Sequence, residues 1–253
     1  MKIITYNVNG VRAAIKKGLI EWLEATQADM VCLQEIKANT LQFPYSLFEA
    51  IGYECMVFPA EKAGYSGVAI LSKITPKEII KGCERAEYDK EGRILQAVFE
   101  KFTLMSVYLP SGSSGEHRQD FKIQFLKDFY TFVASKKNDN LVICGDFNIC
   151  HQAIDIHNPK ANAKSPGFLP EERNWFSEFL ELGLVDSFRF LHEEPHQYTW
   201  WNVRTGARNK NLGWRIDYQL ISQNLIEKLE RAMILTEARH SDHAPCMIEL
   251  ENF

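Results

Sequence analysis

Leu141-Val142-Ile143-Cys144-Gly145-Asp146-Phe147-Asn148 is an apolar run closed by a glycine, an acid and, two residues on, an amide. A run of this length, bounded by turn chemistry, reads as a buried strand with its polar groups at one end. The arrangement recurs. Glu35 closes Met30-Val31-Cys32-Leu33, Asp217 heads Tyr218-Gln219-Leu220-Ile221, and Asp242-His243 precede the final run 246–250. Carboxylates and a histidine at strand ends, drawn from four distant parts of one chain, are how an α/β scaffold assembles a metal-assisted hydrolytic site.

Outward from these points, short apolar runs alternate with helical patterns. Strands are expected at 2–8, 29–34, 53–58, 67–72, 141–145, 216–221, 231–236 and 246–250. Ile94–Glu100 and Phe102–Leu109 read as an antiparallel pair around a tight turn. Leu19, Trp22, Leu23 and Thr26 share one helical face, and Phe121, Phe125, Leu126, Phe129, Phe132 and Val133 predict a helix over His117–Lys136. Pro170 opens another helix, carrying Trp175, Phe176, Phe179 and Leu180 and ending near Gly183, whereas 147–169 reads as a long functional loop. Strands outnumber helices, and several adjoin without crossovers. The expected fold is therefore α/β, a four-layered sandwich of two packed mixed β-sheets flanked by helices, rather than one doubly wound sheet.

With 253 residues, no repeats and no linker, the chain reads as a single domain over 1–253. No apolar run reaches the roughly 20 residues that span a bilayer. Met1 leads directly into strand-like Lys2–Tyr6, which reads as lacking a signal peptide. The six cysteines contain no Cys-x-x-Cys pair, and Cys32, Cys144 and Cys246 sit in apolar runs, so buried free thiols in a reducing, cytoplasmic setting are expected. A net charge of −4 excludes a generic polyanion binder. A site built of carboxylates would itself lower that balance, so local charge decides.

Hydrolysis of a phosphodiester needs a nucleophilic water, neutralised phosphoryl oxygens and help for the departing oxyanion. Glu35, preceded by Gln34, offers hard oxygen to a divalent cation. Strand alternation would put Asp146 and Asn148 on one side, where carboxylate and amide could share a water. Asp217 is the best candidate to fix the tautomer or charge of His243. Asn7 and Asn9 end the first strand, and Tyr108 ends another just before Pro110. Each signal has an ordinary reading as a cap, a turn residue or a satisfied structural pair. Unrelated turns, however, have no reason to supply one complete set of roles.

The chain resembles the exonuclease III family of abasic-site endonucleases, within the DNase I-like endonuclease/exonuclease/phosphatase superfamily. The resemblance lies in Ile4–Ala13, Leu33–Lys37, Tyr65–Ala69, Val107–Pro110, Gly145–Asn148, Trp214–Tyr218 and Ser241–Pro245, in family order and across essentially the whole chain. It implies that Glu35 binds an essential Mg²⁺, with Mn²⁺ as an alternative ion, and that Asn7, Asp146, Asn148, Asp242 and His243 complete the metal region. Asp146 would orient or deprotonate the water, Asn148 would position it, His243 paired with Asp217 would contact the phosphate, and Tyr108 would donate to it or to the leaving group. Ser111-Gly112-Ser113 departs from relatives, which often carry Asn or Gln with Gly, so the resemblance leaves the phosphate contact of that loop open, with Ser111 as the candidate.

Tyr198–Arg215 carries four cations and no acid, interleaved with aromatics. Charge for phosphates and flat rings for a sugar or base suit a nucleic-acid surface. The ordinary reading is a solvated basic loop with its tryptophans in the core. By resemblance, Trp200, Trp214 and Ile216 line a pocket for a flipped-out abasic deoxyribose, with Asn211 a further substrate contact. Arg12, Lys37, Lys160 and Lys164 are candidate backbone contacts. The expected activity is incision 5′ to abasic sites in duplex DNA, with 3′→5′ exonuclease and 3′-phosphatase or phosphodiesterase activities, by a monomer acting on abasic or 3′-blocked DNA and not on membranes. A phosphoinositide or sphingolipid phosphodiesterase is the competing enzyme. A catalytically dead binding relative would need missing site side chains, and all are present.

Overall fold

Alternation along the first strand already dictates layers: Ile3 faces one side while Ile4 and Tyr6 face the other, and all are fully buried. A strand apolar on both faces has to be covered twice. The computed structural model, which describes residues 1–136 and 139–251, shows how. Its strands are β1 (Lys2–Asn7), β2 (Met30–Gln34), β3 (Glu54–Phe58), β4 (Val68–Ser72), β5 (Glu78–Lys81), β6 (Ile94–Val98) and β7 (Thr103–Tyr108). β8 (Leu141–Asp146), β9 (Leu184–Asp186), β10 (Trp200–Trp201), β11 (Gly213–Trp214), β12 (Asp217–Ser222), β13 (Leu229–Ile234) and β14 (Cys246–Leu250) follow.

Two six-stranded sheets form, in the orders β13-β14-β1-β2-β4-β3 and β5-β6-β7-β8-β12-β9. Between them pack Ile3, Met30, Cys32 and Ile70 of one sheet and Leu95, Leu104, Val142 and Cys144 of the other. The outer face of the first sheet, through Ile4, Tyr6, Val31 and Leu33, buries Val11, Leu19, Leu23 and Phe48 of three short helices. The outer face of the second, through Met105, Val107, Ile143 and Leu220, lies under the helices Glu116–Ala134 and Pro170–Leu180, whose Phe125, Phe129, Phe176 and Phe179 fill the contact. The four-layered sandwich expected from the run pattern is thus present. β5 and β9 were not anticipated: β5 is a largely exposed edge strand without apolar alternation, and β9 has only three residues. The segment 147–169 is not structureless throughout, since short helices form at Ala153–Asp155 and Pro159–Asn162.

Strand direction positions the chemistry. Both sheets are mixed: β1 and β2 are parallel, as are β7 and β8, while β14 runs antiparallel to β1 and β12 antiparallel to β8. The ends of β1, β2, β7 and β8 and the beginnings of β12 and β14 therefore share one rim. Asp217 lies directly across from Asp146, and Tyr108 is also in register with it. Polar side chains stitch the sheets together beneath this rim: Thr5 Oγ1 donates to Gln34 Oε1, and Gln34 Nε2 donates to Ser106 Oγ.

β7 and β8 approach so closely at Gly145 that a Cβ there would lie 1.9 Å from the Val107 carbonyl oxygen. Gly145→Ala is therefore expected to wedge the strands apart and cost about 1–3 kcal/mol or more, read as a lower urea midpoint. An unchanged midpoint would show that the strand pair is not constrained there.

Candidate active site

Three side chains from three strand ends, Glu35, Asp146 and His243, bring one ligand atom each to within 4.8 Å of one another. Asn7 stands between the acids, its Nδ2 donating to Glu35 Oε1 and to Asp146 Oδ2, both at 2.9 Å. The other Asp146 oxygen accepts the Asn148 N–H at 2.8 Å. His243 Nδ1 meets Asp217 Oδ2 at 2.9 Å, and its Nε2 lies 4.0 Å from Asp146 Oδ2. Asp217 is itself held by Thr199, whose Oγ1 accepts the Asp217 and Ile216 N–H groups.

Burial and crowding set the charges. Burial raises the Asp146 carboxyl, and repulsion from Asp217 adds to that, to about 7, although His243 pulls the other way. Burial would make His243 neutral, but Asp217, through charge and hydrogen bond, outweighs it and raises the imidazole to about 10. Burial also opposes ionisation of Glu35, yet Lys37 Nζ at 2.7 Å and the Asn7 amide hold its pKa below the ordinary value. The Tyr108 hydroxyl is pushed well up, by burial first and then by Glu35 and Asp146. At neutral pH the site thus contains a carboxylate able to take a proton, an imidazolium and a protonated phenol.

Local backbone conformation aims these groups. Glu35 (φ 50°), Asn148 (φ 51°), Asn9 (φ 45°) and Lys37 (φ 49°) are left-handed, which is unfavourable for glutamate and lysine and concentrated at this rim. Backbone bonds from Gly10 to Glu35 and between Lys37 and Ser66 hold the turn in place. The expected alternation of Asp146 and Asn148 is not how they meet. The strand ends at Asp146, and the left-handed turn at Asn148 carries its side chain to the same cavity.

That cavity, about 300 Å³, is lined by Glu35, Tyr108, Ser111, Asp146, Asn148, Asp242 and His243 on its polar side and by Trp200, Trp214 and Ile216 on its apolar side. Trp200 and Trp214 are partners across the β10–β11 ribbon, with rings edge to face at 6.1 Å. Trp200 also bridges to His243, which joins the apolar wall to the charged one. Asp242 is fastened at the junction, accepting from Asn9 Nδ2 and Trp200 Nε1. A larger cavity, about 560 Å³, opens at the opposite strand ends beside Met1, Phe99 and Phe102, and contains none of these groups.

Other expectations divide. Arg12, Lys160 and Lys164 are exposed, outside the cavity. Lys37 is tied to Glu35 and Asn9. Asn211 does not reach the cavity, because its amide is spent on the His196 carbonyl and the Trp201 indole. The basic segment is only partly a surface. Arg215 is buried among Asp155 and Asp186, and Arg208 donates to three carbonyls while lying over the buried Trp201. Sequence reasoning missed Arg93, fully buried beneath the Tyr108 ring at 4.9 Å and donating to the Tyr108 carbonyl. Nothing local marks that arginine, or Thr199, as part of a site.

The donor set suits a hard divalent cation. Glu35 and Asp146 present carboxylate oxygens side by side, whereas a doubly protonated His243 has no lone pair to give. The sequence profile of the Endonuclease/Exonuclease/phosphatase family matches residues 4–243. An exodeoxyribonuclease of Bacillus subtilis is 40% identical over 248 residues, covering 97% of each chain. Among solved structures, an AP endonuclease from Archaeoglobus fulgidus is similar with a TM-score of 0.92, 29% identity and 100% of both chains covered. A 3′ phosphatase from Neisseria bound to product DNA hairpin gives 0.91 at 29% identity, again with 100% coverage of both.

The His243–Asp217 pair makes a testable contribution to stability. Because the folded imidazole titrates near 10 rather than 6.5, this contribution is full below about pH 6.5 and lost as pH rises towards 10. In chelator-containing buffer the thermal midpoint should fall across that window, and His243→Gln should flatten the fall. Parallel curves for the two proteins would mean that the pair does not hold the proton.

Proposed function

The chain belongs to the endonuclease/exonuclease/phosphatase family, and on that premise we propose that it incises duplex DNA on the 5′ side of abasic sites and also trims or dephosphorylates 3′ ends. It is a phosphodiester hydrolase. The observation that carries the finer reading is the meeting of Glu35, Asp146 and His243 beside an aromatic pocket of Trp200, Trp214 and Ile216. A sugar without its base can enter such a pocket at little stacking cost, whereas an intact nucleotide brings a base that must be unstacked and accommodated.

In this reading Glu35 and Asp146 hold Mg²⁺, which when bound neutralises phosphoryl oxygen charge and lowers the pKa of water. Asn7, donating to both, ties the two carboxylates together for that purpose. Asp146 receives the proton of the attacking water. Asn148 orients that water, His243 as imidazolium donates to a non-bridging phosphate oxygen, and Tyr108 donates to the phosphate or the leaving oxygen. Asp217 keeps His243 charged, while Asp242 positions Trp200 and Asn9. Ser111, Arg12 and Lys37 are taken as contacts to the DNA backbone.

The protein is read as one domain and a monomer, working in a reducing cytoplasm, where its six free cysteines are at home. No helix among the described residues is long and apolar enough to cross a membrane.

Asp146→Asn should lower turnover of an abasic duplex by roughly 10²–10⁴-fold while leaving binding largely intact. Turnover near wild type, scored on a denaturing gel, would remove Asp146 from the mechanism. Trp214→Ala should weaken abasic cleavage more than affinity for intact duplex. Equal losses in both measurements would argue against the pocket. Chelation should silence cleavage of abasic, recessed and 3′-phosphate substrates alike, with Mg²⁺ restoring it.

A further inference from the structure

Lys122 projects from the middle of the helix Glu116–Ala134 into the protein, and its side chain is 0% exposed. Its partner Glu172, in the first turn of the helix Pro170–Leu180, is equally inaccessible. Burying two charges is costly unless every polar atom is satisfied, and removing one partner alone leaves an uncompensated ion. Here both Glu172 oxygens and two of the three Lys122 N–H groups have partners. Lys122 Nζ donates to Glu172 Oε1 at 2.6 Å and to the Asn148 carbonyl at 2.8 Å. Glu172 Oε1 also accepts from Gln119 Nε2, and Oε2 accepts the N–H groups of Gly167 and Leu169 at 2.6 and 3.0 Å.

The bonds reach both ends of the long segment that borders the cavity. Asn148 is its first polar residue and stands in a left-handed conformation that its neighbours must maintain. Gly167 is near its far end, so close to Trp214 that a Cβ would come within 3.1 Å of the indole. The Gly167 carbonyl in turn accepts the Cys150 N–H, closing the segment on itself. One buried ion pair therefore grips the backbone of a water-orienting side chain and the backbone against the aromatic wall.

We propose that Lys122 and Glu172 are positioning residues for hydrolysis, acting through the backbone of Asn148, with Gly167 as the anchor of the same segment, and without touching substrate. The inference rests on the assignment of Asn148 to the reaction centre. Displacing a catalytic group by about 1 Å can cost on the order of 100-fold in rate, so a pair with no access to DNA can still govern turnover.

The test is a double-mutant cycle on an abasic duplex. Lys122→Met combined with Glu172→Gln removes both charges together, leaving no unpaired ion. At a temperature where circular dichroism shows the fold intact, this protein should lose roughly 10- to 100-fold in kcat. Placed in an Asn148→Ala background, the same two changes should cost little more, since the group they position is gone. A kcat unchanged in the folded variant would overturn the proposal, as would the same fold-loss in both backgrounds. Should the combined variant not fold, Glu172→Asp, which keeps both charges and withdraws the carboxylate by one methylene, takes its place in the cycle with the same two outcomes. If Asn148→Ala by itself retains wild-type kcat, the assignment of the reaction centre fails, which is a separate result.

Discussion

Two carboxylates held within 4.8 Å of each other at a largely buried rim repel, by about 3 kcal/mol at an effective dielectric near 20. The protein manages that repulsion before any cation arrives. Asn7 places one amide nitrogen between Glu35 and Asp146, Lys37 neutralises Glu35 from the open side, and His243 faces Asp146 as a cation maintained by Asp217. A charge cost remains, set first by burial and then by Asp217, as a proton that Asp146 gives up only near neutrality. A divalent ion would relieve it. Metal affinity, proton affinity and fold stability are therefore three expressions of the same charge arrangement.

That arrangement requires six strand ends to meet, and the pairing directions make them do so. Parallel pairing of β1 with β2 and of β7 with β8 brings their C-terminal ends to one rim, and the antiparallel partners β12 and β14 begin there. The rim is stiffened from below by the Thr5–Gln34–Ser106 bonds across the sheets and from the side by the Lys122–Glu172 pair. Arg93 plays the same part under Tyr108. Groups that must stay within tenths of an ångström sit on rigid strands or have their backbones held by buried ions, whereas the exposed loop tips bear none of the cluster.

Much of this was legible in the chain before folding was considered. Apolar runs closed by Glu35 and Asp146 and headed by Asp217 are local facts, and each became a strand with its acid at the same rim. The run pattern also anticipated two mixed sheets, because adjacent strands without helical crossovers cannot form a purely parallel sheet. Where the reading failed, the deciding quantity was not local. β5 lacks alternation because an edge strand over solvent needs none. Asn148 reaches the cavity by a left-handed turn, a conformation that asparagine tolerates but that the apolar run pattern does not place. Trp200 and Trp201 are identical letters, yet one lines the cavity and the other is buried beneath Arg208.

The charged residues show the division most clearly. Tyr198–Arg215 looked like one basic surface by composition, but Arg215 is a buried structural ion and Arg208 a carbonyl clamp. Lys122, within the helix that the aromatic face predicts, is fully enclosed. The amino-acid sequence by itself determined which segments extend, which faces must be covered and which acids stand at strand ends, because side-chain period and turn chemistry act over a few residues. Only the tertiary structure decided which cation meets which anion, since Coulomb and desolvation energies depend on distances between segments far apart in the chain.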